Sequence, residues 1–102
     1  MKYCIDIDGT VCTNTDGKYD QAEPLYEVIA KVNALYDEGL DIIFFTARGT
    51  TTGKDWRGLT EKQFNQWGVK YHKIIFGKPE ANIFIDDKAI AINDFMAGKK
   101  VL

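Results

Sequence analysis

The sequence predicts an open α/β domain, a mostly parallel sheet with helices on its faces. Three observations predict it. Short apolar, β-rich runs alternate with helix-spaced apolar patterns, the second run is almost continuously apolar, and Gly or Asp-Gly signals close the segments. The chain has 102 residues, 45% apolar and 27% charged, which suits one domain spanning 1–102. A domain of this size buries roughly two-thirds of its unfolded surface, enough for one core but not for a site enclosed beneath a separate cap domain.

Lys2 to Ile7 (KYCIDI) reads as the first strand, stopped by Asp8-Gly9. Thr10 to Gln21 is polar, with Asp16-Gly17 at its centre, and reads as a small hairpin flap. Pro24 suits the first turn of a helix, and Leu25, Val28, Ile29, Val32, Leu35 and Tyr36 recur at helical spacing until Gly39. Leu40 to Phe45 (LDIIFF) has the pattern of a parallel strand covered on both faces. Thr50 to Gly58 reads as a loop, and Leu59, Gln63, Phe64 and Trp67 mark a second helix ending at Gly68. Tyr71 to Phe76 and Asn82 to Ile85 read as two further strands, a weak helix follows Asp87, and Lys99 to Leu102 reads as a last strand or a tail.

Charge and cysteine content exclude several classes. Thirteen Lys and Arg against fifteen Asp and Glu leave a net charge of −2, no basic footprint for nucleic acid or an anionic membrane. No run approaches the roughly 18 apolar residues of a membrane span, and Met1 to Thr10 lacks the pattern of a secretion signal, so a cytoplasmic protein is expected. Cys4 and Cys12 have no zinc spacing and read as reduced structural thiols. His72, the one histidine, lies inside a strand and reads as structural.

Ligands of open parallel sheets bind beyond the carboxyl ends of the strands. Those ends carry Asp6 and Asp8, Thr46, Lys78, and Asp86 with Asp87. Asp6 and Asp8, two apart, project from one face roughly 6 to 7 Å from each other. Close carboxylates repel by about 4 kcal/mol at an effective dielectric near 20, which a cation or a proton relieves. Oxygen ligands without His or Cys favour Mg²⁺, which takes one or two carboxylates plus waters and a substrate phosphate. Each piece alone has a plainer reading: Asp-Gly-Thr closes many strands, Asp caps helices, and most loop lysines are merely solvated. Their joint placement at successive strand ends sets this chain apart.

Asp6-Ile7-Asp8-Gly9-Thr10, Thr46, Lys78 and Asp86-Asp87, in that order, resemble the four-motif signature of the haloacid dehalogenase superfamily of phosphohydrolases. The resemblance spans residues 2 to 88 and implies a Rossmann-like fold, a Mg²⁺ cofactor and a phosphoaspartyl intermediate. It implies that Asp6 is the nucleophile and Asp8 the general acid and then base. Gly9, Thr10, Thr46, Ala47 and Lys78 would hold the phosphoryl group. Asp6, the backbone carbonyl of Asp8, Asp86 and, less directly, Asp87 would surround the metal.

Two features depart from many relatives. Only seven residues lie between Lys78 and Asp86, so Tyr71 to Phe76 and Asn82 to Ile85 can also be read as an antiparallel pair, which would carry Lys78 to the wrong end. The deoxyribonucleotidase branch has a similarly short spacing, which leaves a nucleotide 5′-phosphate as an alternative substrate. Neither motif gap has room for a cap, and a homo-oligomer is the expected shield. Arg48, Lys54, Trp56 and Arg57 would then form a rim able to meet a second anionic or sugar-like group, although a solvated loop or subunit contact uses the same residues.

Thr46-Ala47-Arg48-Gly49, Trp67-Gly68-Val69, Gly77-Lys78-Pro79 and Ile85-Asp86-Asp87-Lys88 are similar to small phosphatase-like proteins of capsule and surface-polysaccharide synthesis, which implies a small phosphorylated metabolite such as a sugar phosphate. Two other functions fit the same composition. A response-regulator-like phospho-accepting domain also combines aspartates, Thr, Lys and Mg²⁺, but there the lysine comes after the acceptor aspartate and the threonine. A catalytically silent metal-binding or interaction module need not keep Asp8.

Overall fold

In a computed structural model, residues 1–98 are described. β1 (Lys2–Ile5), α1 (Tyr26–Asp37), β2 (Asp41–Thr46), α2 (Arg57–Trp67), β3 (Lys73–Phe76) and α3 (Ile92–Met96) follow in chain order, with a 3-10 turn at Tyr19–Gln21. The three strands form one sheet in the order β1-β2-β3, and both pairings are parallel. The alternating α/β architecture therefore stands, and all three strands present their carboxyl ends along one edge.

Parallel register puts Tyr3 beside Ile42 and Ile5 beside Phe44, then Phe44 beside Ile74 and Thr46 beside Phe76. Side chains alternate along a strand, so these residues share one face. Ile42, Phe44 and Ile74 on that face are buried with Val28, Ile29 and Val32 of α1 and Phe64 of α2. Phe44 meets Phe64 edge-on, ring centroids 4.7 Å apart. The opposite face is more open: Cys4 and Ile75 are exposed, and Ile43 and Phe45 are half-buried. Strands that succeed one another in one direction through right-handed crossovers carry their helices on the same side. Covering both faces of β2 needs a reversal of strand order, which the described residues do not make.

Asn82–Ile85, expected as a strand, pairs with nothing. Ile83, Phe84 and Ile85 are 77%, 53% and 96% exposed. Five residues, Gly77 to Ala81, separate this run from β3, whereas a parallel connection takes about a dozen or more. The antiparallel alternative fails as well, because β3 is bonded to β2 alone. Lys99 to Leu102 lie outside the described residues.

The flap is held like a hairpin. The Leu25 N–H donates to Val11 C=O at 2.8 Å and the Thr13 N–H to Glu23 C=O at 2.9 Å, so its two arms run antiparallel. At the tip Lys18 N–H bonds back to Thr15 C=O, and Asp16 and Gly17 both have positive φ, 54° and 90°, as an Asp-Gly turn of the primed type requires. Pro24 bridges to Cys12 in this arm, which keeps it extended and delays α1 to Tyr26 instead of letting proline open the helix. α2 begins two residues earlier than its apolar spacing suggests, because Asp55 Oδ1 accepts the Arg57 N–H at 2.9 Å. His72 is structural: its Nδ1 accepts the Ile42 N–H at 3.0 Å and its ring stacks on Tyr36 at 4.6 Å.

Candidate active site

The site lies where β1, β2 and β3 end. Asp6 follows β1 directly, and its side chain is 40% exposed, with Oδ1 3.7 Å from Lys78 Nζ. Parallel pairing of β3 with β2 brings Lys78 here: its backbone N–H continues the ladder to Thr46 C=O at 3.0 Å. The lysine thus stands at the same end of the sheet as Asp6. Its ammonium also lies 4.5 Å from the centre of the Phe84 ring, the one member of the unpaired 82–85 run that reaches the site.

Burial raises the Asp6 pKa above the ordinary carboxylate range, and Asp8 adds to the rise, while Lys78 and the Ile7 N–H oppose it. Desolvation wins because a partly exposed ion pair is worth about 1 kcal/mol or less. A carboxylate so placed is a better nucleophile than a fully hydrated one.

Asp8 occupies a different environment. Its Oδ2 accepts from Arg48 Nε at 2.9 Å and its Oδ1 from Arg48 Nη2 at 3.0 Å, a bidentate fork. The Arg48 side chain has no exposure and that of Asp8 only 16%. Arg48 was expected on the rim; the structure places it underneath, because the tight loop after β2 turns the residue inward. Its N–H is taken by Thr46 Oγ1 at 3.1 Å, and the next residue, Gly49, has φ 80°. A Cβ on Gly49 would lie 2.1 Å from Lys54 C=O, so only glycine lets the loop close this tightly.

Thr46 is 1% exposed at the end of β2. Its oxygen accepts from Arg48 N–H, which leaves its own hydroxyl proton available to a phosphoryl oxygen. Gly9 and Thr10, expected to offer amides to phosphate, spend them within the turn, on Cys12 C=O at 2.8 Å and Ile7 C=O at 3.1 Å. Lys78 Nζ and the Thr46 hydroxyl proton are not spent within this turn. Ala47, half-buried, follows Thr46 directly and accepts the Thr50 N–H on its carbonyl at 3.0 Å.

Lys54, Trp56 and Arg57 are brought together, lining an open cleft of about 300 Å³ with Thr50, Asp55, Phe76 and Gly77, and Arg48 lies at its floor with its side chain turned away from solvent. Lys54 Nζ lies 4.3 Å from the centre of the Trp56 ring and the Arg57 guanidinium 4.6 Å from that of Phe76. Asp86 and Asp87 are not brought in. Both are exposed, and Asp86 turns back to accept the Lys88 N–H at 2.9 Å, which with Asp87 holds its pKa below the ordinary range. Among the described residues no three acidic, His or Cys side chains converge as a metal centre. The unpaired 82–85 run explains this: without a place in the sheet, nothing aims Asp86 at Asp6. With Asp86 and Asp87 turned away from Asp6, the acidic side chains as arranged do not fit Mg²⁺.

Sequence reasoning missed Thr60, Gln63 and Tyr19. Arg48 Nη1 donates to Thr60 Oγ1 at 3.0 Å and Gln63 Oε1 at 2.7 Å, and the guanidinium faces the Tyr19 ring at 4.8 Å. The available signal was a Thr and a Gln three apart on the inward stripe of α2, where apolar residues are the rule.

Cys12 lies against this network, its thiol 3.5 Å from Asp8 Oδ1. Burial and then the Asp8 charge push its pKa to about 12, so it stays a thiol at neutral pH. Iodoacetamide at pH 8 is expected to label exposed Cys4 in the native protein and Cys12 only after unfolding, as read by mass spectrometry. Equal native labelling would contradict the buried placement.

Comparisons with known proteins bear on this geometry. No family model and no curated protein matches the sequence. A structural-genomics target from Vibrio cholerae is 25% identical with a TM-score of 0.83, over 94% of this chain and 87% of that one. D,D-heptose 1,7-bisphosphate phosphatase from B. bronchiseptica, solved with magnesium and phosphate, is 18% identical with a TM-score of 0.56, over 80% of this chain and 53% of that one. A chain of the Pnkp1/Rnl/Hen1 complex is 20% identical with a TM-score of 0.61, and 93% of this chain spans about a third (33%) of its length. The fold is haloacid dehalogenase-like. This haloacid dehalogenase-like domain has no cap among its described residues, and none of their helices is long and apolar enough to cross a membrane.

Proposed function

We propose that the chain is a phosphomonoester hydrolase that works through a phosphoaspartyl intermediate on Asp6. The observation that carries this reading is the pairing of a half-open Asp6 with Lys78, beside an Asp8 fixed two residues further on. In the first step an Asp6 oxygen bonds to phosphorus, the P–O bond to the alcohol breaks, and a proton on Asp8 passes to the departing oxygen. Lys78 balances the charge of Asp6 and the phosphoryl group, and the Thr46 hydroxyl donates to a phosphoryl oxygen. In the second step water gives a proton to Asp8 and its oxygen to phosphorus, which frees orthophosphate and restores Asp6.

The substrate is a small phosphorylated metabolite. A sugar phosphate fits the cleft best, since Lys54 and Arg57 have no carboxylate partner within ion-pair distance among the described residues and Trp56 offers an apolar surface. The heptose-bisphosphate phosphatase likeness supports a phosphorylated sugar, and the likeness to a chain of an RNA repair complex keeps a nucleotide phosphate as the alternative. The remoteness of Asp86 and Asp87 favours one competing reading, a catalytically silent module.

One assay separates the two. The hydrolase is expected to release phosphate from p-nitrophenyl phosphate and from a panel of sugar phosphates, assayed once with Mg²⁺ and once with EDTA. Absence of phosphate release from every ester, with the protein shown folded by circular dichroism, supports the silent module. Release that persists in EDTA removes Mg²⁺ from the proposal and leaves the Asp6 chemistry in place.

A further inference from the structure

Beyond the hydrolase reading, on which it rests, we infer that Arg48 is a positioning residue that fixes the plane of the Asp8 carboxylate and never meets substrate. A guanidinium carries five N–H donors. Here all five have acceptors: Asp8 Oδ2 at 2.9 Å, Asp8 Oδ1 at 3.0 Å, Cys12 Sγ at 3.8 Å, Thr60 Oγ1 at 3.0 Å and Gln63 Oε1 at 2.7 Å. The aromatic face of Tyr19 covers the group at 4.8 Å, and the side chain has no exposure. No donor remains for a phosphoryl oxygen.

This arrangement gives Asp8 what its place in the chain does not. Asp8 lies beyond the end of β1, its backbone bridged only to Cys12 and outside the paired strands. The planar fork sets the direction of its side chain; with the Cys12 thiol donating to Oδ1 at 3.5 Å, three of the roughly four lone-pair sites of the carboxylate are filled, leaving one on Oδ2 for the proton that Asp8 passes. The fork is itself anchored. Thr60 Oγ1 donates to Trp56 C=O at 2.8 Å and Gln63 Nε2 to Tyr19 C=O at 2.7 Å, so α2, the 3-10 turn and Asp8 are tied through one buried cation.

The test compares wild type with Arg48→Lys on two esters. p-Nitrophenyl phosphate expels a stable phenolate with little need of a proton, whereas glycerol phosphate expels an alkoxide that needs one. The quantity read is kcat/KM, which covers the steps through cleavage of the ester bond. Arg48→Lys is expected to lose at least about ten-fold more on glycerol phosphate than on the aryl ester, because a lysine cannot hold both carboxylate oxygens. Equal losses on both esters, or no loss, overturn the inference.

If Arg48→Lys does not fold, Gln63→Met, which removes one acceptor from Nη1, is expected to show the same ordering at smaller amplitude. A wild-type protein that cleaves neither ester defeats the hydrolase reading alone. The positioning claim is then read from crystals: a changed Asp8 rotamer in the variant supports it, and an unchanged one overturns it.

Discussion

Asp6→Asn is expected to reduce phosphate release to background while leaving the protein at least as heat-stable as wild type. The loss of turnover follows from the proposed bond between Asp6 and phosphorus, for which an amide oxygen is a poor substitute; removing a nucleophile outright typically costs several orders of magnitude in rate. The stability follows from burial. Because burial raises the Asp6 pKa, the folded chain holds this proton more tightly than the unfolded chain does. As pH climbs from the ordinary carboxylate value through the raised one, folding has to ionise a group it partly desolvates, so stability falls across that window and stays lower above it. Asparagine carries no charge and escapes the penalty; what it gives up is the Lys78 pair, worth about 1 kcal/mol or less at this exposure. Thermal unfolding at pH 7 is therefore expected to show a Tm equal to or above wild type, with the difference shrinking toward pH 4. Wild-type turnover in Asp6→Asn would remove it as nucleophile, and a Tm well below wild type would show that the Lys78 pair outweighs burial.

The elements that local signals specify were legible in the chain. Helical spacing from Leu25 to Tyr36 and from Leu59 to Trp67 found α1 and α2 to within a few residues, and the apolar run before Thr46 found β2. Lys78 was the weak point of the motif reading, since a short link to Asp86 left the direction of β3 open. The parallel β2–β3 ladder resolves it, and only tertiary pairing does so. The opposite holds for Asn82–Ile85, whose composition is that of a strand and whose sheet partners are missing. Strand propensity describes a residue that fits a pleated, half-buried surface, and it cannot say whether such a surface is within reach.

The same limit applies to charge. Arg48 sits in a stretch rich in Gly and Thr and followed by Lys54 and Arg57, the composition of a solvated loop. Only the inward turn at Gly49, and Thr60 and Gln63, three apart on α2, reveal a receiving pocket for a buried guanidinium. Motif matching named Asp8 as a site candidate and had no means of naming what holds it, because that partner belongs to the packing of α2 against the β2 loop.

Asp8→Asn is expected to fail where Asp6→Asn does not, by losing stability together with activity. General acid and base help is typically worth about 10² to 10⁴ in rate, and an amide neither gives nor takes the proton. The structural cost comes from Arg48, whose side chain has no exposure and faces Asp8 at 2.9 Å as the one carboxylate in its ion pair. Asparagine keeps one acceptor oxygen but turns an NH₂ toward the other arm of the fork, and the buried cation loses its counter-charge. Breaking a buried pair by removing one partner costs about 3 to 5 kcal/mol, and the 16% exposure of Asp8 places this one at the lower end, about 3 kcal/mol. For a domain of this size each kcal/mol lowers Tm by about 4 to 8 °C, so a fall of roughly 10 °C or more is expected in calorimetry. Turnover measured well below that Tm, where the variant is folded, separates the lost proton transfer from the lost fold. An unchanged Tm would show that the Arg48–Asp8 fork does not stand in solution, and the orientation of Asp8 would then need another cause.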